Sequence, residues 1–358
     1  MSAWSEVPMG SPDAITGVLE MYRACKNPNK VNLIVGTYRD DDDKPHVWVP
    51  VQKAERILSK MVLDKDYLPQ TGMPKFCKLT AAFIFGKDAE VIENGSLASL
   101  QTLSASGGLR VGCEFIKKYY NGPKTIYVSV PTWENHIQIA QSSYLDVKGY
   151  RYYNFKTRSL DFEGLMEDVN KMADKSIMVL HVCAHNMSGV DPSHEQWNEI
   201  SAMCKKKQIL VFFDNAYQGI TSGDPDYDVY SVRKFVADGN LIMIAQSFSK
   251  NMGLYGERVG GLHILTENKE QCQKVLSQIR FIVRSMYSSP PLMGARIVTK
   301  VMEDPELMND WRMEFQQVSA RLKNIRLTLY NSLKKLGSTR DWDHILKQIG
   351  EDAFTLED

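Results

Sequence analysis

The chain has 358 residues, of which 43% are hydrophobic and 24% charged, the composition of an ordinary globular protein with a large core. Its 43 basic residues balance 43 acidic ones, and no apolar run approaches the roughly 18 residues of a membrane span, which argues against nucleic-acid and membrane functions. The six cysteines are scattered without a CxxC pair, so free thiols are expected rather than a disulfide framework.

Short apolar segments alternate with helical stretches through the middle of the chain. They predict five strands, at residues 125–130, 176–182, 208–213, 240–245 and 260–265. Alternation at this spacing predicts α/β units on a largely parallel sheet flanked by helices. Ligands of such sheets bind beyond the carboxyl ends of the strands. A long amphipathic segment, residues 311–336, then predicts one helix that links the sheet domain to a smaller domain.

Polar side chains follow three of the predicted strands. In chain order they are His185, Asn186, Asp214, Tyr217, Ser247, Ser249 and Lys250. Because the carboxyl ends of parallel strands meet at one edge of a sheet, we expect these side chains to face one crevice.

A small-residue turn, SASGG at residues 104–108, opens a predicted helix. The N–H groups of a helix start bind anions. The hydroxyls of Ser104, Ser106, Ser247 and Ser249, with the guanidinium of Arg258, would complete a phosphate cradle. Taken alone, such a turn usually does no more than start a helix.

A phosphate cradle, an aspartate and a lysine together are what pyridoxal phosphate requires. The aspartate keeps the pyridine nitrogen protonated, and the lysine forms a Schiff base and moves a proton. Asp214 and Lys250 are 250 − 214 = 36 positions apart, about one α/β unit, so neighbouring strands can bring both to one crevice. Lys250 is therefore a Schiff-base candidate.

Other interpretations of the same residues stay open. A strand-end aspartate can cap a helix, and a loop lysine is usually a solvated charge. A metal is not expected, because His181 and His185 would be roughly 13 Å apart on a strand, too far for both to reach one ion.

Motifs along essentially the whole chain resemble those of the aspartate aminotransferases of fold type I, most closely the mitochondrial form. These motifs are YRDD, DYLPQTG, PTWENH, HVCAHN, FFDNAYQG, QSFSKNMGLYGERVG and SSPPLMGARI. The resemblance implies a mostly parallel central sheet flanked by helices and a smaller α/β domain, incomplete at its C-terminus. The implied divisions are an N-terminal arm at 1–12, a small domain at 13–45 and 318–358, and a large cofactor-binding domain at 46–317.

The resemblance also implies roles for individual residues. Lys250, Asp214 and Tyr217 would be catalytic, with Asp214 on the pyridinium nitrogen and Tyr217 and Asn186 on the ring oxygen O3′. Trp133 would stack on the ring, with His136 and His181 behind Asp214. The residues that would grip the phosphate are Ser104, Ala105, Ser106, Ser247, Arg258 and the partner subunit's Tyr67.

The substrate site implied by the resemblance lies between two subunits of a homodimer. The partner subunit's Arg284 would bind the distal carboxylate of a dicarboxylic substrate, while Gly36, Trp133 and Asn186 would line the pocket. The implied reaction moves an amino group from L-aspartate to 2-oxoglutarate by a ping-pong mechanism, giving oxaloacetate and L-glutamate. The resemblance implies the mitochondrial matrix, with the cytoplasm as the alternative.

The chain departs from the family pattern at several points. The family continues beyond Asp358 and carries there the arginine for the substrate α-carboxylate, so its loss is expected to impair orientation of the substrate. The other departures are Ile34 and Ala105 for glycines, Ser96 for arginine, Ser106 for threonine and Met187 for proline. Two further hypotheses follow: a catalytically impaired or non-catalytic paralogue or fragment, and an aminotransferase shifted toward aromatic amino acids or kynurenine.

Overall fold

The computed structural model describes residues 3–10, 14–32 and 36–350. The departure at Ile34, the final segment 351–358 and part of the predicted arm lie outside these residues.

Helices and strands alternate from the middle of the chain onward, as the sequence predicts. The helices in the described part are α1 (Ala14–Ala24), α2 (Val49–Ser59), α3 (Pro74–Phe85), α4 (Glu90–Glu93), α5 (Ser104–Tyr119), α6 (Glu134–Ser142), α7 (Phe162–Lys171), α8 (His194–Lys206), α9 (Pro225–Asp228), α10 (Tyr230–Ala237), α11 (Lys269–Met286), α12 (Met293–Glu303), α13 (Pro305–Lys335) and α14 (Asp343–Lys347). The strands there are β1 (Leu97–Leu103), β2 (Thr125–Val130), β3 (Asp146–Arg151), β4 (Tyr153–Asn154), β5 (Ser159–Leu160), β6 (Ile177–His181), β7 (Leu210–Asn215), β8 (Ile242–Ser247) and β9 (Val259–Leu265).

Seven of these strands form one sheet in the order β1-β9-β8-β7-β6-β2-β3. β9 runs antiparallel to both of its neighbours, whereas the pairs from β8 to β3 are all parallel. The five predicted strands are β2, β6, β7, β8 and β9, each within two residues at either end. The mostly parallel sheet is therefore confirmed.

Both faces of the sheet are covered, so its central strands have no polar side. Every residue of β7 is buried. Leu210 and Phe212 pack in one core cluster with α5 and α11, while Val211 and Phe213 pack in a second cluster with α8 and α10. Burial on both faces is why the parallel strands read as continuous apolar runs rather than as alternating patterns.

The long helix α13 begins six residues before the predicted start at residue 311. The Asp304 carboxylate accepts the backbone N–H groups of Glu306 and Leu307, and Pro305 occupies the first turn. An N-cap aspartate followed by proline is a start signal that apolar periodicity alone does not detect. Trp311 and Phe315 of α13 are fully buried in a third cluster with α2 and α12.

The proposed division into arm, small domain and large domain stays a prediction. Within residues 14–32, 36–45 and 318–350, the structure places α1, the last part of α13, α14 and one β-bridge between Arg39 and Pro45. No helix of the described residues is long and apolar enough to cross a membrane.

Candidate active site

Two neighbouring parallel strands deliver the candidate aspartate and lysine to the same edge of the sheet. β7 and β8 pair in register, with Asp214 opposite Ala245. Asp214 lies inside β7 rather than just after it, and Lys250 follows β8 by three residues. The edge they share is the carboxyl edge of the parallel strands, where ligands of such sheets bind.

One carboxylate oxygen of Asp214 contacts a histidine, and the other has no hydrogen-bond partner. His136 Nε2 lies 3.0 Å from Asp214 Oδ2, and Thr132 Oγ1 lies 2.9 Å from His136 Nδ1. When the Thr132 hydroxyl donates to Nδ1, the Nε2–H of His136 donates to the carboxylate. Asp214 Oδ1 is buried and has no hydrogen-bond partner. Buried polar atoms are almost always hydrogen-bonded, so an unpaired one is a candidate contact for a ligand. This oxygen can accept an N–H group of such a ligand.

Trp133 stands beside this pair. It caps the N-terminus of α6, and its ring meets the His136 ring edge-on, with 5.3 Å between the centroids. The helix start therefore places the indole and the imidazole together, next to Asp214.

A cluster of imidazoles lies behind the aspartate. The ring centroid of His181 is 5.1 Å from that of His136 and 4.5 Å from that of His185. The estimate of 13 Å between His181 and His185 was wrong, because β6 ends at His181 and the chain then turns, with Ala184 at φ 48°. Burial lowers the pKa of His181 and of His185 well below the usual value, so both rings are neutral.

Three of these groups could meet a metal ion. Ligand atoms of His136, His181 and Asp214 lie within 4.8 Å of one another, the one such cluster in the described part of the chain. Spacing therefore does not exclude a metal. The absence of a metal stays a prediction, which rests instead on the hydrogen bond that already engages His136 Nε2 with Asp214.

Asn186 and Tyr217 come together from the turns after β6 and β7. Asn186 Nδ2 donates to the Tyr217 hydroxyl oxygen over 3.2 Å. A phenol hydroxyl and an amide N–H, both able to donate to an oxygen of a ligand, therefore stand side by side at this edge.

Lys250 lies between two aromatic rings. Its Nζ is 5.7 Å from the centroid of the Tyr217 ring and 5.6 Å from that of Tyr255, and it donates to the Gly36 carbonyl oxygen. Tyr255 was missed by sequence reasoning, although it lies five residues after Lys250 in the same motif. Its hydroxyl accepts the N–H of Tyr38 over 2.9 Å, which ties the segment of Gly36 to this edge.

Hydroxyls and a guanidinium form a compact polar pocket at the start of α5. Ser104 Oγ lies 2.8 Å from Ser247 Oγ and 3.1 Å from Ser249 Oγ. Arg258 Nη1 donates to Ser249 Oγ over 3.2 Å. The predicted small-residue turn is in fact the first turn of α5, which begins at Ser104, with Ala105 buried and Ser106 partly buried.

The chemistry of this pocket suits a phosphate. Free N–H groups of a helix start, three hydroxyls and a guanidinium all favour an anion. Burial lowers the pKa of Arg258, yet a guanidinium stays charged at neutral pH. Glycine at 260 permits the pocket, since a Cβ there would lie 2.1 Å from the Gln246 carbonyl oxygen and 2.7 Å from Ser104 Cα.

Two predicted site residues stand apart from this edge. Tyr67 is 89% exposed, and Arg284, near the end of α11, is exposed and donates to Ser288 Oγ over 3.0 Å. Among the described residues, neither side chain forms a hydrogen bond with the site of its own chain. Their predicted roles across a subunit interface stay predictions.

The fold and this edge define the chain as a member of the class I and II aminotransferases, the family that matches residues 28–351. A curated relative from Xenopus tropicalis, a mitochondrial aspartate aminotransferase, is 43% identical over 99% of this chain and 83% of its own length. The cytoplasmic aspartate aminotransferase of Saccharomyces cerevisiae superposes with a TM-score of 0.94 at 38% identity, over 97% of this chain and 86% of its own.

A third similar protein carries a cofactor. The aromatic-amino-acid aminotransferase of Burkholderia pseudomallei, with covalently bound pyridoxal phosphate, superposes with a TM-score of 0.95 at 34% identity, over 98% of this chain and 87% of its own. The residues at the carboxyl edge fit such a group: an unpartnered carboxylate oxygen, a lysine and an anion pocket lie at the ends of neighbouring strands.

Proposed function

We propose that this chain binds pyridoxal phosphate at the carboxyl edge of its sheet and transfers the amino group of L-aspartate to 2-oxoglutarate. The observation that carries the proposal is Asp214 Oδ1, a buried acceptor without a partner at the edge that Lys250 shares. Relatives at 43% and 44% identity over 99% of the chain, named aspartate aminotransferases, support the substrate assignment.

The residues of the chain divide the work of holding the cofactor. Asp214 accepts the pyridinium N–H, and His136 fixes the orientation of the carboxylate through its hydrogen bond. Ser104, Ser247 and Arg258 bind the phosphate. Bound in this way, the cofactor supplies an electron sink that stabilises negative charge at the substrate Cα.

Lys250 moves the proton of the reaction. Its amine lies between the rings of Tyr217 and Tyr255, which restrict the directions that the side chain can take. A base held in this way would take the proton from the substrate Cα and return it two atoms along, on the far side of the amino nitrogen. Tyr217 and Asn186 hold the ring oxygen of the cofactor through donors that already contact each other.

Substrate recognition in this proposal requires a homodimer. The partner subunit's Arg284 pairs with the distal carboxylate of aspartate or glutamate, because a guanidinium fork matches two carboxylate oxygens. The exposure of Tyr67 in a single chain fits a residue that acts on the other subunit.

Relatives from mitochondria support the mitochondrial matrix as the compartment, and import of a tagged full-length protein into isolated mitochondria tests it.

The proposal is tested by steady-state transamination with purified protein and saturating cofactor. L-Aspartate and L-phenylalanine are compared as amino donors to 2-oxoglutarate. We expect kcat/KM for aspartate to exceed that for phenylalanine by about 100-fold or more, because phenylalanine lacks the distal carboxylate with which the guanidinium pairs. The opposite preference would establish the aromatic alternative, and no turnover with either donor would establish the non-catalytic alternative.

A further inference from the structure

Two carboxylates, those of Asp191 and Asp228, each accept two backbone N–H groups in the turns next to Asn186 and Tyr217, the residues proposed to bind the ring oxygen of the cofactor. We call each such pair of hydrogen bonds a clasp. Asp191 Oδ2 accepts the N–H of Ala184 over 2.6 Å, and its Oδ1 accepts the N–H of His185 over 2.9 Å. The residue that follows this double contact is Asn186. Asp191 therefore fixes the backbone immediately before Asn186.

Asp228 does the same for the second turn. The residue is 5% exposed, its Oδ2 accepts the N–H of Gly219 over 2.7 Å, and its Oδ1 accepts the N–H of Ser222 over 3.2 Å. Tyr217 precedes this clasped turn by two residues. The turn passes close beneath α13, since a Cβ at Gly219 would lie 2.6 Å from the ring of Phe315.

The two turns meet each other as well. Cys183, Ala184 and Tyr217 pack in one apolar cluster, and Thr221 Oγ1 lies 3.4 Å from Cys183 Sγ. The Asn186–Tyr217 hydrogen bond is thus the outer contact between two turns whose backbones are held from behind.

We propose that Asp191 and Asp228 are positioning residues that set Asn186 and Tyr217 for their hydrogen bonds to the ring oxygen of the cofactor, an inference that rests on the proposed function. In each clasp both carboxylate oxygens accept one backbone N–H. An asparagine has a single acceptor oxygen and would turn its own N–H groups toward a backbone N–H. Substitution by asparagine therefore breaks one bond of the clasp while keeping the volume of the side chain.

The environment of the pair agrees with a positioning role. Burial, with a smaller contribution from the charge of Asp191, raises the pKa of Asp228 to about 7, against the lowering effect of the hydrogen bonds that its carboxylate accepts. Burial likewise raises the pKa of Asp191 to about 6. Measurements at about pH 8.5, above both values, find both carboxylates ionised and both clasps complete.

The test compares Asp191→Asn and Asp228→Asn with Asp161→Asn. Asp161 is the matched control, because it caps α7 by accepting the N–H of Gly164 over 3.0 Å, a bond that asparagine also makes. Hydrogen exchange of the cofactor-free protein is measured for peptides covering residues 182–192 and 217–224. Each clasp variant is expected to exchange about tenfold faster in its own turn, whereas the control exchanges as wild type does.

The second readout is the pH titration of the absorbance band of bound pyridoxal phosphate. When Asn186 and Tyr217 are held less firmly, their hydrogen bonds stabilise the ring oxyanion of the cofactor less. The apparent pKa at which the absorbance band titrates is therefore expected to rise, by on the order of half a unit or more, in both clasp variants. Faster exchange with an unshifted band, or exchange as in wild type, overturns the inference. If Asp228→Asn does not fold, Asp191→Asn supplies both readouts.

The same experiment separates this inference from the proposed function. A wild-type protein without any cofactor band refutes the proposed function, and the inference falls with it. A normal wild-type band that titrates unchanged in Asp191→Asn and Asp228→Asn refutes the inference alone.

Discussion

The two edges of the central sheet differ in how their polar groups are arranged. At the amino edge, a groove of about 1040 Å³ is lined by residues before β7 and β8, including Ile209 and Leu241. Its lysines, Lys175 and Lys205, are exposed, and Lys205 donates to the Gly239 carbonyl. At the carboxyl edge, buried side chains such as His136 and Asp214 contact one another, and Asp214 Oδ1 has no hydrogen-bond partner.

The comparison shows that the volume of a cavity does not by itself identify the candidate active site. The wide groove contains a buried oxygen without a partner too, Asn240 Oδ1, but the amide of this residue is fixed by Ser201 and the charges nearby face solvent. Among the described residues, the carboxyl edge brings together an acid, an amine and an anion pocket, and its acid is buried, where electrostatic interactions are strong. Four substitutions compare the two edges or the parts of the carboxyl edge.

The largest effect is expected for Asp214→Asn. An amide cannot hold a proton on the ring nitrogen, so the cofactor withdraws electrons poorly, and kcat/KM for aspartate should fall by about 10³-fold or more. The control at the amino edge is Asp174→Asn, an exposed aspartate that pairs with Lys207 over 3.1 Å. Equal losses of activity in the two variants would remove the distinction between the edges.

Gly260→Ala tests the backbone beneath the anion pocket. The new Cβ would lie 2.1 Å from the Gln246 carbonyl oxygen, and backbone atoms cannot retreat as a flexible side chain does. The free energy of unfolding is expected to fall by about 2–4 kcal/mol in urea titrations. Gly256→Ala, four residues earlier and with nothing within 4 Å of its Cβ, should stay within about 1 kcal/mol of wild type. A tolerated Gly260→Ala would contradict the packing at the start of α5.

Asp228→Asn should change how stability depends on pH. Because burial raises the pKa of Asp228 to about 7, the native state binds a proton that the unfolded state releases above about pH 4. Stability from this group is therefore present below pH 4 and is lost as the pH rises to 7, by up to about 1.4 kcal/mol per pH unit. Denaturation curves from pH 4 to 8 should show a shallower decline in the variant, and parallel curves would contradict a raised pKa.

Ser104→Ala is expected to have the smallest effect. It removes the hydroxyl that joins Ser247 and Ser249, so the affinity for pyridoxal phosphate should fall about tenfold, as for the loss of one hydrogen bond to a charged group. Fluorescence titration with the cofactor measures this. Ser277→Ala on α11, whose hydroxyl donates only locally to the Lys274 carbonyl, should bind as wild type does. Unchanged affinity in Ser104→Ala would place the phosphate elsewhere.

Much of the carboxyl edge could be predicted because strand ends are visible in a sequence. Asp214 and Lys250 follow apolar runs, and the α/β order of those runs puts them on neighbouring strands. The turns are less visible: His185 came far closer to His181 than strand spacing allows, because the chain leaves β6 after His181. Tyr255 completes the surroundings of Lys250 through a ring contact that no spacing rule specifies.

Residues that act through the backbone are the hardest to predict. Asp191 and Asp228 bind N–H groups, which every residue but proline carries, so their partners leave no pattern in the sequence. Tyr67 and Arg284 pose another problem, since a contact with a second chain cannot be read from the order of residues in one. Their roles were implied by resemblance alone.

The central claim is that the carboxyl edge holds pyridoxal phosphate on Lys250 and passes an amino group through it. The most direct measurement is the absorbance spectrum of the wild-type protein with pyridoxal phosphate, before and after L-aspartate, beside Lys250→Ala and Lys205→Ala. We expect a pH-dependent band in wild type and Lys205→Ala that converts to the pyridoxamine form with aspartate, and no such band in Lys250→Ala. A wild-type band that survives in Lys250→Ala, or that ignores aspartate, would contradict the account.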